Sequence, residues 1–503
     1  MTTERELKLI ADVDTVLPDF NDVLPGVTCA PSVHKEMAAT YYDTPTLSLA
    51  RWSATLRWRD EHPVAMWTVK LPARADESIL SRQELNFVGP ATRMPNEAAE
   101  LVRVFRRGHS LDVVANLHTA RTETPLLIDG LTIATVCDDL VSGDGGGNGP
   151  VSFREIEVEL APGVHAESML SAINRRLIKA GCRVEEPALA KVIRVLGTPA
   201  ESPPDIVVTD VTRRASISEL VTSVLSGSVA QLIRHDPGTR TGGDPEDLHQ
   251  FRVAGRRLRS DLGTFSSLLD PAWTRPLRDD LKWIGNQAGV VRDADVLHAR
   301  LDGRFAELVP VDAATSRRLL GRLEKERANA RSGLLDALST DRYDALIEAL
   351  ISSAHEPRFV EDHPTFAGRA ARGVVSDLVA KRWRRLHHDS RALVPDSPDE
   401  DLHEVRILAK RCRYAAEAAS KVCGRDARRF GKAIADVQQV LGNHQDTVVA
   451  ETWLRAAAKA IPSTGLVAGL AIAQERSERA THRQEFASAW ATASRHSLRS
   501  WLR

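Results

Sequence analysis

The sequence predicts a multi-domain chain in which an antiparallel β domain precedes an all-α domain. Three observations point there. Up to about residue 200, short segments alternate apolar and polar side chains with a period of two. Beyond that, strand signals fade, and alanine, leucine and arginine recur at helical spacing. Between the two regimes lies a Pro-rich connector, Thr198-Pro199-Ala200-Glu201-Ser202-Pro203-Pro204-Asp205. A chain of 503 residues is also too long for one ordinary core. The expected limits are 1–200 for the β domain, 201–212 for the linker and 213–503 for the helical domain.

Hydrophobic content of 43% and charged content of 27% are those of a globular protein. The formal net charge of −1 hides an uneven division: residues 1–200 carry 21 basic and 27 acidic side chains, the remainder 46 and 41. The second part therefore leans towards an anionic partner, and the arrangement of its cations matters more than their number. Cys29, Cys137, Cys182, Cys412 and Cys423 are scattered and form no CxxC pair. That suggests a reducing compartment and no thiolate zinc site. No signal-peptide core opens the chain, and no apolar run nears the roughly 20 residues of a membrane span. The expected location is the cytoplasm, with no membrane partner.

The β domain begins at Glu4-Arg5-Glu6-Leu7-Lys8. Side chains two apart on a strand share a face, so two carboxylates and an ammonium form one row. Carboxylate oxygens suit Mg²⁺ or Mn²⁺, and a lysine suits a phosphate. Tyr41-Tyr42 reads as strand, ended by Asp43-Thr44-Pro45. Residues 54–59 set Arg57 and Arg59 against Leu56 and Trp58; residues 66–71 set Lys70 against Trp67, Val69 and Leu71. Residues 81–87 set Arg82 and Glu84 opposite Leu85 and Phe87. A helix is expected near 97–106, a strand around Arg121, and an apolar strand from Leu131 to Asp138. The Gly-rich run 143–149 reads as a flexible hairpin loop. Residues 152–160 put Glu155, Glu157 and Glu159 on one side. A helix at about 164–180 follows, then Pro187 to Lys191 and Arg194.

At least seven strands thus carry one charged and one apolar row. A flat sheet with one wet face explains any one of them. A closed antiparallel barrel explains why the charged rows sort by sign, with basic rows at Arg57/Arg59, Lys70 and Arg121 and acidic rows at Glu4/Glu6 and Glu155/Glu157/Glu159. Buried in a lumen, such rows need one another, a metal and a multiply charged anion.

In their order along the chain, Glu4-x-Glu6-x-Lys8, Tyr42-Asp43-Thr44, Arg57-x-Arg59, Lys70, Arg82-x-Glu84, Arg121, Asp138, Glu155-Ile156-Glu157-Val158-Glu159 and Lys191 resemble the CYTH domain of the triphosphate tunnel metalloenzymes. The resemblance implies an eight-stranded antiparallel β-barrel forming a tunnel for a triphosphate. It implies that Lys8, Arg57, Arg59, Lys70, Arg82, Arg121 and Lys191 hold phosphate oxygens. Glu4, Glu6, Glu157 and Glu159, with Asp138, would hold divalent metal, Mg²⁺ or Mn²⁺. Glu4, Glu6, Lys8 and Lys191 would carry the catalysis. Ala190 departs from the pattern, because a serine commonly precedes the last lysine in that family. Glu84 and Glu155 are open between lumen partner and structural ion pair.

The helical part repeats itself. Leu248-His249-Gln250-Phe251-Arg252-Val253-Ala254-Gly255-Arg256-Arg257-Leu258-Arg259 matches Leu402-His403-Glu404-Val405-Arg406-Ile407-Leu408-Ala409-Lys410-Arg411-Cys412-Arg413. Downstream, Gly289-Val290-Val291-Arg292-Asp293 matches Gly442-Asn443-His444-Gln445-Asp446. Two pseudo-repeated helical bundles, about 213–345 and 365–495, are expected. His249, Arg252, Arg256 and Arg259 fall within an arc of about 80° on a helix. His403, Arg406, Lys410 and Arg413 repeat that stripe. Facing stripes would hold a long polyanion, with Lys282, Arg292, Lys432 and His444 extending the surface. The bland alternative is a solvated basic face, with each histidine a packing or capping residue. The repeated motif resembles the CHAD domain, a histidine-containing α-helical domain. That resemblance implies binding of inorganic polyphosphate. Lys410 and Gln445 depart from the first copy, so the halves are expected to bind unequally.

The function expected is metal-dependent hydrolysis of a triphosphate, foremost inorganic tripolyphosphate, by direct attack of water, with longer polyphosphate bound by the helices. The rivals are a thiamine or nucleotide triphosphatase, an adenylyl cyclase, and a non-catalytic protein of polyphosphate granules. Nucleic acid is disfavoured, since four tyrosines and few helix-face aromatics offer little base stacking.

Overall fold

The computed structural model describes residues 2–61, 64–72, 80–147, 149–161, 167–184, 189–307, 313–360 and 368–502. The chain divides into two compact units, Met1–Asp205 and Ile206–Arg503.

The first unit is an antiparallel sheet of ten strands: β1 (Thr2–Ala11), β2 (Thr28–Cys29), β3 (Val33–Asp43), β4 (Thr55–Glu61), β5 (Val64–Leu71), β6 (Leu80–Val88), β7 (Asp112–Ile128), β8 (Leu131–Gly145), β9 (Val151–Leu160) and β10 (Arg183–Val184). The order is β10-β1-β6-β5-β4-β3-β7-β8-β9, with β2 on β7. β1 pairs with β6 through Thr2–Glu6 and with β9 through Glu6–Ala11. The two ladders overlap at one residue, so the sheet is not closed into a uniformly paired cylinder. Eight strands, β1 and β3 to β9, follow one another in this order and return from β9 to β1, as the eight-stranded antiparallel arrangement expects, and β2 and β10 are added to them. The extra strands are two-residue pieces, too short to leave a period-two signal.

Two apolar layers hold the sheet. On the outer face, Leu9, Val136, Ile156 and Val158 pack against Met169, Leu170, Ile173 and Leu177 of the helix Glu167–Lys179. At one end the inner face is apolar as well. There Tyr41, Leu117 and Val141 receive Val192, Ile193, Val195 and Leu196 of the helix Lys191–Leu196. Glycines make room for this helix. A Cβ on Gly143 would stand 3.0 Å from Val195 Cγ2, and one on Gly146 would stand 2.9 Å from the Leu196 carbonyl oxygen. The run read as a flexible hairpin is thus partly strand β8, with glycine where the helix comes close. The helix expected at 97–106 is broken into Asn96–Leu101 and Arg103–Arg106. The Pro-rich connector is tied to the first unit as far as Asp205, which accepts hydrogen bonds from Trp52 Nε1 and Arg107.

The second unit is helical. In its first half run Ile217–Thr241, Pro245–Thr264, Pro271–Ala306, Ala313–Leu338 and Asp341–His355. The second half has Ala371–Ala392, Asp399–Cys423, Arg425–Ala460 and Gly465–Ala493, then the short His496–Arg499. The third helix of each half is 36 residues long. Leu297, Leu301 and Phe305 of the first half pack with Leu319, Leu323, Ala450, Leu454 and Val467, joining the two long hairpins in one core. Glu475, fully buried, accepts from Arg300 and Arg304 across the halves. No helix among the described residues is long and apolar enough to cross a membrane.

Candidate functional site

Register sorts the charges of the sheet. Thr55 stands opposite Lys70, Lys70 opposite Glu84, Tyr41 opposite Arg57, Lys8 opposite Glu157, Arg121 opposite Asp139, and Asp139 opposite Glu155. Directly opposed residues share a face. Lys8, Arg57, Arg59, Lys70, Arg121 and Lys191 therefore line one cavity of about 150 Å³, with Tyr41, Glu84, Glu157 and Glu159 among them.

Glu157 is the hub. Its Oε1 lies 2.6 Å from Lys8 Nζ and 2.8 Å from Lys191 Nζ, and its Oε2 lies 2.6 Å from Arg121 Nη2. Burial pushes this carboxyl up, but Lys191, Lys8 and Arg121 overcome it and hold the group well below the usual range. Lys191 also reaches Asp139 and Glu155, each at 2.9 Å. Burial opposes its charge, yet these carboxylates raise the ammonium well above its ordinary value. Arg121 grips Asp139 through Nε at 2.7 Å and Nη2 at 2.8 Å. Across the cavity Lys70 lies 2.6 Å from Glu84, with Arg57 at 3.7 Å. Burial would raise Glu84, and Lys70 followed by Arg57 brings it down to about 2. The buried phenol of Tyr41 is pushed up by burial and, more strongly, drawn down by Arg57, Lys191 and Lys70.

Lys191 occupies the first turn of its helix, where the helix dipole disfavours a cation. Asp139, Glu155 and Glu157 offset that cost. Ala190 caps the helix in extended conformation without a side-chain hydrogen bond, so the departure noted in the sequence removes a cap.

Asp138 does not join the site. It stands opposite Ile156, on the apolar face, and pairs with Arg154 through two hydrogen bonds of 2.8 Å. The carboxylate on the cavity side is Asp139, one residue on, because alternation along β8 puts neighbours on opposite faces. The side chains of Glu4, Glu6 and Arg82 lie outside the described residues. Their backbone positions pair Glu4 with Arg82, and Glu6 with Glu159.

Among the described residues no group of three or more His, Cys, Asp or Glu side chains is arranged to hold an ion. The donor chemistry still fits a hard cation: Glu159 is the most exposed carboxylate of its row, its partner position on β1 is Glu6, and all donors are oxygens. Glu157 fits less well, because both its oxygens are taken by cations.

Sequence reasoning missed Tyr41, Asp139 and Arg194. A register shift between Tyr41 and Tyr42 hides which tyrosine faces inward. Arg194 lies 3.6 Å from Glu155 and 5.3 Å from the Phe153 ring, one helical turn after Lys191.

In the helical unit the two repeated stripes meet, but only at their middles. Lys410 is held among Arg406, Arg256 and Arg252; burial and then these cations push its ammonium down to about 7. Arg252 Nη2 donates to Asp293 at 3.0 Å and crosses over Gly289, where a Cβ would stand 2.4 Å from Nη1. Arg406 occupies the matching place over Gly442, with Nε 3.7 Å from the Cβ position. The Nε atoms of Arg256 and Arg406 are buried with no hydrogen-bond partner among the described residues. His249 is pushed down by burial and by Arg292. In the second copy His403 Nδ1 instead lies 2.8 Å from Gln445, the residue in Arg292's place.

The stripe ends separate. Arg413 turns to Glu417 at 2.6 Å, and Arg259 faces Arg278 and Arg411. Lys282 and Lys432 are exposed on their helices. His444 cannot extend the groove. It is 1% exposed, beside Asp399, and burial pushes it down to about 4, so it is neutral. Its counterpart in the first copy is Val291, also buried, so the position belongs to the core.

Residues 2–180 match the family model of the CYTH domain, and residues 223–455 that of the CHAD domain. An uncharacterized protein of Mycobacterium tuberculosis, present in two strains, is 30% identical over 482 residues, 90% of this chain and 88% of the relative. Among solved structures, PptA from Streptomyces chartreusis is 25% identical with a TM-score of 0.47, covering 55% of this chain and 100% of that one. The CHAD domain from the plant Ricinus communis is 26% identical with a TM-score of 0.47, covering 57% and 95%. A Hippeastrum protein, described as a putative adenylyl cyclase with a dominant triphosphatase activity, is 15% identical with a TM-score of 0.23, covering 38% and 94%.

Proposed function

The chain belongs to the family that joins a CYTH domain to a CHAD domain, and from that footing we propose that it hydrolyses a triphosphate, foremost inorganic tripolyphosphate, and binds longer polyphosphate on its helices. Members of the CYTH family are triphosphatases or cyclases and depend on a divalent metal. The observation that carries the reading is the cavity in which Lys8, Arg57, Arg59, Lys70, Arg121 and Lys191 converge from five elements. A compact chain of phosphates neutralises such a set; a neutral substrate does not.

Lys70 and Arg57 would take the phosphoryl oxygens on the Glu84 side, and Arg121, Lys8 and Lys191 those on the Glu157 side. As phosphate replaces Glu157 among their partners, Glu157 is released to accept. Glu4, Glu6, Glu157 and Glu159 would hold Mg²⁺ or Mn²⁺, which when bound makes water a stronger nucleophile and offsets phosphate charge. The arginines and lysines then stabilise charge on the departing phosphate. Among the described residues that line the cavity there is no serine, cysteine or histidine to act as a covalent nucleophile, and burial pushes the Cys137 thiol up.

The test is a product assay on the purified chain with tripolyphosphate, long polyphosphate, ATP and thiamine triphosphate, with and without Mg²⁺ or Mn²⁺. Phosphate release from tripolyphosphate should need metal, exceed that from the organic triphosphates, and fall at least about a hundredfold in Lys191→Met. Cyclic AMP from ATP would instead identify a cyclase. No turnover of any of the four would leave a binding protein.

A further inference from the structure

A second group of cations stands apart from the inter-repeat groove. Arg382 Nη2, from the helix Ala371–Ala392, donates to the Gly263 carbonyl at 2.5 Å. Arg278 Nη2, from the helix Pro271–Ala306, comes within 3.5 Å of the point a Cβ on Gly263 would occupy. Two guanidinium groups thus gather at one bare glycine near the end of the helix Pro245–Thr264. Arg259 lies one turn earlier on that helix; burial and then the charges of Arg278 and Arg411 push its guanidinium down, and burial followed by Arg411 and Arg278 does the same to Arg382.

No ion pair joins any of the four to a carboxylate among the described residues. The rest of this unit behaves otherwise. Arg300 and Arg304 close on Glu475 and Glu478, Arg479 and Arg483 on Asp399, and Arg455 and Arg476 on Glu451. Where arginines cluster here, a carboxylate normally sits between them. The C-terminal carbonyls of the helix account for Arg382 alone. Guanidinium forks without a carboxylate suit phosphoryl oxygens.

We propose that Arg259, Arg278, Arg382 and Arg411 form a second phosphate-binding site, which takes the far part of a polyphosphate chain already held at Arg256 and Lys410. The sequence favours one continuous ligand. Arg259 follows Arg256 by three residues on one helix, and Arg411 stands on the same helix as Lys410, so the two clusters share both helices. The proposal rests on the polyphosphate reading above and adds that affinity depends on chain length.

Arg278 and Arg411 are exposed, so their removal leaves the core alone. Binding of long-chain polyphosphate to the full chain, titrated at several salt concentrations, should weaken about tenfold in Arg278→Ala/Arg411→Ala, with a shallower salt dependence. A control of equal charge, Arg317→Ala/Arg318→Ala, should change affinity less than about threefold. Displacement of labelled long polyphosphate by shorter chains should lose its advantage for length in the first variant. Charge reversal, Arg278→Glu/Arg411→Glu, should weaken binding further. Equal weakening in the control would mean a general field and overturn the site. Unchanged binding in Arg278→Ala/Arg411→Ala, while Arg256→Ala/Lys410→Ala binds weakly, would overturn the second site and leave the groove standing. Unchanged binding in both would remove the groove and the second site together.

Discussion

Single residues of the cavity are fixed by the company they keep. Lys191 holds its charge in a buried place because three carboxylates surround it, and Glu157 holds its own because three cations do. Glu84 is the cleanest measure of this coupling. Its carboxyl falls from an ordinary 4.5 to about 2 in the folded chain, with Lys70 and Arg57 outweighing burial. A carboxylate lowered on folding contributes stability in full above pH 4.5 and loses it as pH falls towards 2. Glu84→Gln is therefore expected to cost about 3 kcal/mol at neutral pH, read by urea unfolding. The gap between variant and wild type should close on acidification; a gap constant from pH 7 to pH 3 would contradict the coupling. Which residues meet was only partly legible. Lys8 and Glu157 follow from alternation within their strands, but Asp139 rather than Asp138 follows only from how β8 is registered on β9.

At the scale of elements, the repeated helices were legible as a repeat, and their pairing as halves follows from it. Their stripes were not legible as a site. Two packed helices cross at an angle and draw apart on either side of the contact. Arg252, Arg256, Arg406 and Lys410 lie close together, whereas Arg259 and Arg413 find other partners. Crowding among cations is what lowers Lys410 after burial. Its ammonium is half-lost near pH 7, so affinity for long polyphosphate should fall several-fold as pH rises from 6 to 9. Lys410→Arg, charged throughout, should bind with nearly constant affinity over the same range. Parallel pH dependence in the two proteins would assign the titration elsewhere. The helix Lys191–Leu196 was hidden for a different reason: six residues are too few for a period of 3.6 to show, and its place depends on glycines in β8.

For the whole molecule, two compact units carry two separate sets of cations, one within the sheet and one among the helices. Each should fail alone. Lys8→Ala should abolish phosphate release from tripolyphosphate while long-polyphosphate binding stays within about twofold of wild type; Arg256→Ala/Lys410→Ala should do the reverse. Loss of both activities in either variant would show that the units do not act separately. The sequence alone determined the division into a β part and a helical part, the internal repeat, and the types of charge each strand and helix carries. These are local matters, written in periods of two and 3.6 and in repeated spelling. Only the tertiary structure decided that the sheet has ten strands joined through a staggered β1, that Asp139 replaces Asp138, that His444 is core, and that Arg278 and Arg382 meet at Gly263. Those depend on register and on helix crossing, which pair residues far apart in the chain and leave no mark on their neighbours in sequence.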